Sequence, residues 1–432
     1  MKQNIPILVY CLMLSSLFAC SERAETPGPW EGSGPLTDYT VTPINGGATI
    51  TYATPDDPDL LYIMAEYTRN GETFNEKSSV YNNSLTIQGF NTTAPVKVAL
   101  YKVNRKGQKS EPLQIEFTPL ESVISIAMRT MNVETTFGGI IVSWENPLNT
   151  ELGIRLMVKD SLEKMETAEM YYSELVKEEH SFRGFENKET TFGISVEDKW
   201  GNISDTLTYR TTPFFEVLIP KPYSDARSFI PYDNTTNLPP NPPYSYYFSS
   251  LWDNITNTFQ NGFLTNPGGS GRSFTIDLKC VAKLSRLHVW GYSDYIYGQV
   301  GITGFDLYGT DHLDEDKLKD RSYWLDETIV RDGGISGVPV DTAIPEPSFE
   351  DDWEFLGSFY FPDELRNVSY GMPEFTAYTV AGLEFNIDRY AKPVRYVRFL
   401  VRRIDFHDNI PANNYFSLGE VSFYGDNTVP QE

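Results

Sequence analysis

The sequence predicts an all-β protein, with two tandem β sandwiches followed by a larger β domain. Three observations carry this expectation. Short runs rich in β-branched and aromatic residues alternate with Gly, Pro, Asn and Asp turns over most of the chain, the pattern of half-buried strands. A set of motifs occurs twice, 92 to 95 residues apart, as two copies of one structural unit would. Six further strand-like segments follow between residues 251 and 426.

At the amino terminus, residues 5–19 carry no charge and end in Leu17, Phe18, Ala19 and Cys20. The run is too short to span a bilayer core, which takes about 20 residues in a helix. Its basic start at Lys2, its apolar middle and the small residue before the break read as a secretory signal over residues 1–19. The pattern Leu, x, Ala, Cys resembles the bacterial lipobox. That resemblance implies cleavage before Cys20 and a diacylglycerol on its sulfur, with residues 20–35 as a tether. Cys11 leaves with the signal, so Cys280 is the lone remaining thiol and no internal disulfide is expected. Within "FTIDLKCVAKLSRLHVW" it reads as a small buried hydrophobe rather than a nucleophile.

The length of 432 residues suits about three domains. With 40% hydrophobic and 14% aromatic residues the chain is built for packed cores and not for disorder. A formal charge of −24 repels phosphate backbones and anionic lipid surfaces, which argues against a nucleic-acid partner.

The repeat opens with "GGATITYATPDDP" from Gly46 and "GGIIVSWENPLNT" from Gly138. "IQGFN" around Phe90 answers "FRGFEN" around Phe185, and "VNRKGQKS" ending at Ser110 answers "VEDKWGNIS" ending at Ser204. Thr118 and Pro119 answer Thr212 and Pro213, which bounds the copies at 36–119 and 120–213. Their texture is that of a sandwich, and they resemble fibronectin type III or other immunoglobulin-like modules, with Trp144 as a core aromatic. Neither copy holds a catalytic spacing, and their aromatics suit core and cross-strand pairs, so both read as spacers. One segment, "SLEKMETAEMYYSELVKE" from Ser161 to Glu178, is helix-like. Its apolar residues are irregularly spaced and equally suit a loop with short strands, and its charges form a solvated face.

Residues 214–250 are rich in Pro, Tyr and Asn without periodicity and read as an extended connecting segment laid across a surface. Then come "LWDNITNTF", "FTIDLKCVAKLSRLHVW", "GFDLYGTD", "WEFLGSFYF", "VRYVRFLVRR" and "SLGEVSFYGD". Each alone is only an alternating strand. Their order resembles the discoidin domain, also called the coagulation-factor 5/8 type C domain, a galactose-binding-like β-jelly-roll spanning residues 251–426 here. Over its whole length the chain looks like the surface lipoproteins of glycan-utilisation loci in Gram-negative bacteria. In those proteins two immunoglobulin-like domains of unknown function precede a discoidin-like carbohydrate-binding module. The resemblance implies an outer-membrane lipoprotein at the cell surface, held to the membrane by its lipid anchor alone. It also implies a polysaccharide or oligosaccharide ligand and an outer-membrane importer complex as neighbour.

The same resemblance implies a structural Ca²⁺ held by Asp253, Thr258 and Glu420, a set of hard oxygen ligands. Asn254 stands where the family pattern has glycine, a change that bears on the loop backbone. Ligand contacts fall to two loops, "GYSDYIYGQVGIT" with Tyr292, Asp294, Tyr295 and Tyr297, and "IDFHDNIPANNYF" with His407, Asp408 and Asn409. Tyrosine faces suit the C–H face of a sugar, and the polar groups suit its hydroxyls; tyrosines also make generic protein interfaces, and the balance favours sugar. Trp290 ends a strand and reads as core or rim. Some forty residues from Asp311 to Asp352 are inserted between two strands and carry Trp324. They are either an acidic excursion over a sheet edge or an extra wall of the site bearing an aromatic.

The four histidines, His180, His288, His312 and His407, are scattered singly, with no zinc spacing and no nucleophile elbow. Signal, spacers and binding module account for every segment, so no catalytic domain is expected. The sequence reading is therefore a non-catalytic, membrane-anchored glycan-binding lipoprotein. The alternative is an adhesin or assembly subunit that grips a protein partner through the same loops.

Overall fold

A computed structural model describes residues 27–159, 163–256, 261–266, 271–292, 301–326, 348–368, 372–373, 378, 380–405 and 415–429. The chain divides into two compact units, one formed by residues up to Asn132 with Ser143–Glu179 and Phe192–Tyr209, the other by Val133–Val142, His180–Thr191 and the chain from Arg210.

Alternating apolar residues build the first repeat. β1 (Tyr39–Ile44), β2 (Gly47–Tyr52) and β5 (Ser84–Gln88) form a three-stranded antiparallel sheet in the order β1-β2-β5. β3 (Leu60–Arg69), β4 (Glu72–Ser79), β6 (Val96–Asn104) and β7 (Leu113–Phe117) form a second sheet in the order β4-β3-β6-β7. Ile50 and Ile87 from one sheet and Ile63, Ala65 and Leu100 from the other are fully buried in one core. Period-two alternation puts them on the inner faces of a sandwich.

The second repeat has β8 (Asn132–Thr136), β9 (Gly139–Glu145) and β12 (Lys177–Phe182) in the order β8-β9-β12. β10 (Leu152–Lys159), β11 (Met165–Ser173), β13 (Thr190–Asp198) and β14 (Leu207–Thr211) follow the order β11-β10-β13-β14. The strand orders of the two repeats are the same. So are the bonds at the repeated motifs. Phe90 N–H donates to the Gly46 carbonyl at 3.0 Å as Phe185 N–H does to Gly138 at 2.8 Å. Ser110 N–H donates to Lys102 as Ser204 N–H does to Val196, each at 2.9 Å. A Cβ at Gly47 would collide with the Ile87 carbonyl, and one at Gly139 with that of Phe182, which is why each pair of glycines keeps its second member. Trp144 is buried, edge-on to Tyr171 at 6.1 Å.

Where it is described, the stretch between Ser161 and Glu178 is strand β11, a short loop and the start of β12, the loop-with-strands alternative and not a helix. β11 pairs along β10 from Met165 to Ser173, and most of its residues are exposed. An edge strand with charges toward water has the composition of a solvated helix face. A helix, α1 (Val123–Thr130), instead opens the second repeat, capped by Ser122, whose Oγ accepts from Ser125 N–H at 3.2 Å. No described helix is long and apolar enough to cross a membrane.

The C-terminal part is organised by one long strand. β15 (Val217–Leu218), β16 (Ser224–Asp225) and β17 (Phe263–Leu264) precede β18 (Ser273–Trp290). β19 (Ile302–Thr310), β20 (Glu354–Tyr360), β21 (Leu383–Asn386), β22 (Val394–Ile404), β23 (Ser417–Leu418) and β24 (Glu420–Asp426) follow. The first half of β18 pairs with β16 and β22, and its second half with β24 and β21. Between the halves the register shifts and Lys279 takes a positive φ of 65°, so one strand serves two sheets across a bulge. Phe274 and Phe399 stack at 4.7 Å at the centre of the core. Cys280 is half-buried against that core, and burial pushes its thiol up, as a packing residue's would be.

Candidate ligand-binding surface

The two loops singled out in the sequence leave the C-terminal module at neighbouring points. Gly301 N–H donates to Asp405 Oδ1 at 3.0 Å, and Asp405 N–H donates back to the Gly301 carbonyl at 2.9 Å. The far root of the first loop is Tyr292, which is 5% exposed and lies over Gly262, where there is no room for a side chain.

Tyr292 is joined by two tyrosines from the connecting segment. Its ring is 6.3 Å from that of Tyr246, and Tyr246 lies parallel to Tyr244, 6.2 Å away with 3° between the planes. Tyr244 and Tyr246 alternate about Ser245, a spacing that puts both on one side of extended backbone, and both are half-buried. Beside them runs a polar chain. Ser245 Oγ and Ser250 Oγ donate to Asn261 Oδ1 at 2.7 and 3.0 Å, and Asn261 Nδ2 donates to Asp253 Oδ2 at 2.6 Å. Half-buried rings next to an amide and a carboxylate offer an apolar face and directional polar groups, the two elements a sugar ring requires.

Trp290 sits on the rim, half-buried, its ring 4.2 Å from that of His288 and tilted 32° to it, and donates its Nε1–H to the Val380 carbonyl at 3.1 Å. Burial lowers the His288 pKa. Trp324 corrects an expectation. It is 1% exposed, parallel to Phe349 at 6.0 Å, edge-on to Trp353 at 5.7 Å, and covered by Arg398. Its indole N–H is used by the Lys317 carbonyl at 2.9 Å. The insertion therefore uses its tryptophan to build a small core, and no ring face is left for a ligand. Asp294, Tyr295, Tyr297, His407, Asp408 and Asn409 lie outside the described residues, as do Thr258 and Cys20.

The carboxylates assigned to calcium are engaged otherwise. Asp253 Oδ1 accepts from Ile255 N–H at 2.9 Å, closing a local turn, and its Oδ2 takes the Asn261 amide. Glu420 is fully buried, and its Oε1 accepts from the ammonium of Lys221 and from Asn254 N–H at 3.2 Å. Its Oε2 has no hydrogen-bond partner among the described residues. Burial pushes the Glu420 carboxyl above the usual carboxylate range, while Lys221 and Asn254 N–H pull it back. No three His, Cys, Asp or Glu side chains come together to hold a metal among the described residues. The described part of the set does not fit a calcium ion.

A larger cleft, about 780 Å³, opens elsewhere on the module between Lys279, His312, Lys392 and Arg395. Lys392 pairs with Glu354 and Arg395 with Asp277, and among the described residues the His312 imidazole is its one aromatic ring, with no Tyr, Phe or Trp. Size favours this cleft, but chemistry favours the tyrosine shelf.

Sequence analysis missed Tyr244, Tyr246, Asn261 and Lys221. The alternating tyrosines of "YSYY" were the available signal, hidden in a segment without longer periodicity.

Three families match successive parts of the chain. Residues 33–119 match DUF4959, residues 120–222 match DUF5126 and residues 252–425 match DUF5000, each described as a domain of unknown function. No curated protein matches the chain. Among solved structures, a SusE-like protein is similar at 20% identity and a TM-score of 0.35, over 70% of this chain and 99% of that one. A family 89 glycoside hydrolase from Clostridium perfringens, in complex with 2-acetamido-1,2-dideoxynojirmycin, is similar at 10% identity and a TM-score of 0.25. That match covers 50% of this chain and 16% of the hydrolase chain. A segment of two fibronectin type III domains from chicken tenascin is similar at 12% identity and a TM-score of 0.21, over 41% of this chain and 98% of the segment.

Proposed function

We propose that this chain is a non-catalytic glycan-binding lipoprotein of the outer-membrane surface. Its ligand is a polysaccharide or oligosaccharide, and it binds through a C-terminal discoidin-like module. The observation that carries the reading is the half-buried pair Tyr244 and Tyr246, backed by the buried ring of Tyr292, beside Asn261 and Asp253, at the end of the module where two polar, aromatic loops are rooted. Asp294, Tyr295 and Tyr297 from one loop and His407, Asp408 and Asn409 from the other complete the site in this reading. Cys20 carries the lipid, the two repeats serve as spacers, and the bound glycan is kept near an importer complex at raised effective concentration.

Affinity gels loaded with plant, host and microbial polysaccharides test this directly. One glycan class should retard the protein, and Tyr246→Ala should weaken that retardation about tenfold, the loss typical of an aromatic anchor. Its melting temperature should change little, because Tyr246 sits at the edge of the core and not within it. Absence of retardation by every glycan would favour the adhesin or assembly-subunit reading, with the same tyrosines facing a protein.

A further inference from the structure

We propose that the ε-ammonium of Lys221 is a built-in counter-ion that takes the place of calcium beside Glu420, so that the C-terminal module folds independently of the metal. This goes beyond the glycan reading and does not depend on it. Glu420 begins β24 opposite Trp290 and exposes 1% of its side chain. A carboxylate so placed needs a cation, and Lys221, 9% exposed, supplies one from the connecting segment 199 residues earlier in the chain.

The loop is arranged around the ammonium. Asn254 has φ +67°, the left-handed conformation that glycine would take without strain and that asparagine tolerates better than most residues. The glycine-to-asparagine change therefore keeps the turn and adds a side chain, whose Oδ1 accepts from Lys221 Nζ at 3.2 Å. Asn254 N–H reaches the same Glu420 oxygen that the ammonium holds. Residues 221, 254 and 420 thus form a closed set.

A calcium ion would need six to eight oxygen ligands at about 2.3–2.6 Å. Here Glu420 offers only Oε2, and each Asp253 oxygen already accepts one hydrogen bond, from Ile255 N–H and from the Asn261 amide. An ion bound to the carboxylate would also face the ammonium across a single side chain, and like charges at that range repel strongly in a buried setting.

The first test uses the purified wild-type protein and calcium alone. Its thermal unfolding in millimolar CaCl₂ and in EDTA should coincide to within about 1 °C, since a ligand that does not bind the native state does not stabilise it. A rise of several degrees in calcium that EDTA reverses overturns the proposal. The second test compares Lys221→Met with Lys221→Met/Glu420→Gln. The single variant should melt about 5–10 °C lower, as expected for a buried charge left unpaired. The double variant should regain at least half of that loss. Equal melting of the two overturns the proposal, because the ammonium would then not be neutralising Glu420. If the single variant fails to fold, the wild-type comparison still decides.

Discussion

Glu216→Ala is expected to destabilise the protein by about 4 kcal/mol, which corresponds to a melting temperature about 10 °C lower for a unit of this size. Glu216 exposes 8% of its side chain and serves two guanidinium groups that are themselves only 13% and 15% exposed. Its Oε1 accepts from Arg183 Nη1 at 3.0 Å, Arg286 Nε at 3.2 Å and Ser285 Oγ at 2.5 Å, and its Oε2 accepts from Arg286 Nη2 at 3.2 Å. Alanine would leave two arginines buried, with Glu384, already paired to Arg286, as the carboxylate beside them. Burial already holds the Arg183 guanidinium below its ordinary range, and Glu216 is the main group that offsets it. Glu216→Gln keeps an acceptor but no charge, so its loss should fall between wild type and alanine. Thermal unfolding of the three proteins measures this. A loss under 1 kcal/mol for alanine would mean that the network is hydrated and contributes as a surface pair does. The network also joins distant stretches within one compact unit. Arg183 follows β12 and bonds Asn386 at 2.9 Å, and Arg389 pairs with Glu134. The segments 133–142 and 180–191 should therefore become more protease-sensitive in Glu216→Ala.

The tandem repeat was legible because it is written in local chemistry. Gly46 and Gly138 take positive φ at the same turn, and Ser110 and Ser204 make the same pair of bonds to the strand they face. Such features depend on a few neighbouring residues and survive a shift of more than ninety positions. Edge strands were harder to read. β11 exposes just over half of its residues and buries only Ser173, so the inner–outer alternation that marks a strand is faint and its charges suggest a helix. The candidate site could be read only as far as two loops rich in tyrosine and polar residues, picked out because a core does not explain them; the described residues at their ends, Gly301 and Asp405, bond to each other. Lys221 could not be found in this way, since no local pattern links it to Glu420. Trp324 was misread for a related reason. A tryptophan within a polar insertion has the same neighbours in sequence whether it faces a ligand or an arginine.

That arginine supports the second large expected effect. Arg398 and Asp233 expose no side-chain surface. Arg398 Nη1 donates to Asp233 Oδ1 at 2.7 Å and Nη2 to Ser273 Oγ at 2.8 Å, while Ser273 Oγ donates to the same Asp233 oxygen at 2.9 Å. The guanidinium carbon lies 4.7 Å from the Phe349 ring and 5.2 Å from that of Trp324, one residue from each described part of the insertion. Arg398→Ala would remove the counter-charge of a fully buried carboxylate and open a cavity between two aromatic rings, a combined loss of about 5 kcal/mol. Lysine would not rescue it, because one ammonium cannot present the planar two-donor edge that reaches Asp233 and Ser273 together. Arg398→Met with Asp233→Asn should recover most of the stability, since it fills the space without leaving a charge unpaired. A double-mutant cycle on unfolding free energies separates the charge from the packing. Near-ultraviolet circular dichroism adds a local readout, because Trp324 should lose its fixed environment in Arg398→Ala and regain it in the double variant. If the alanine variant kept both its stability and its tryptophan signal, the insertion would be held by something other than this pair. Trp324 would then have to be considered again as a residue that can reach the surface.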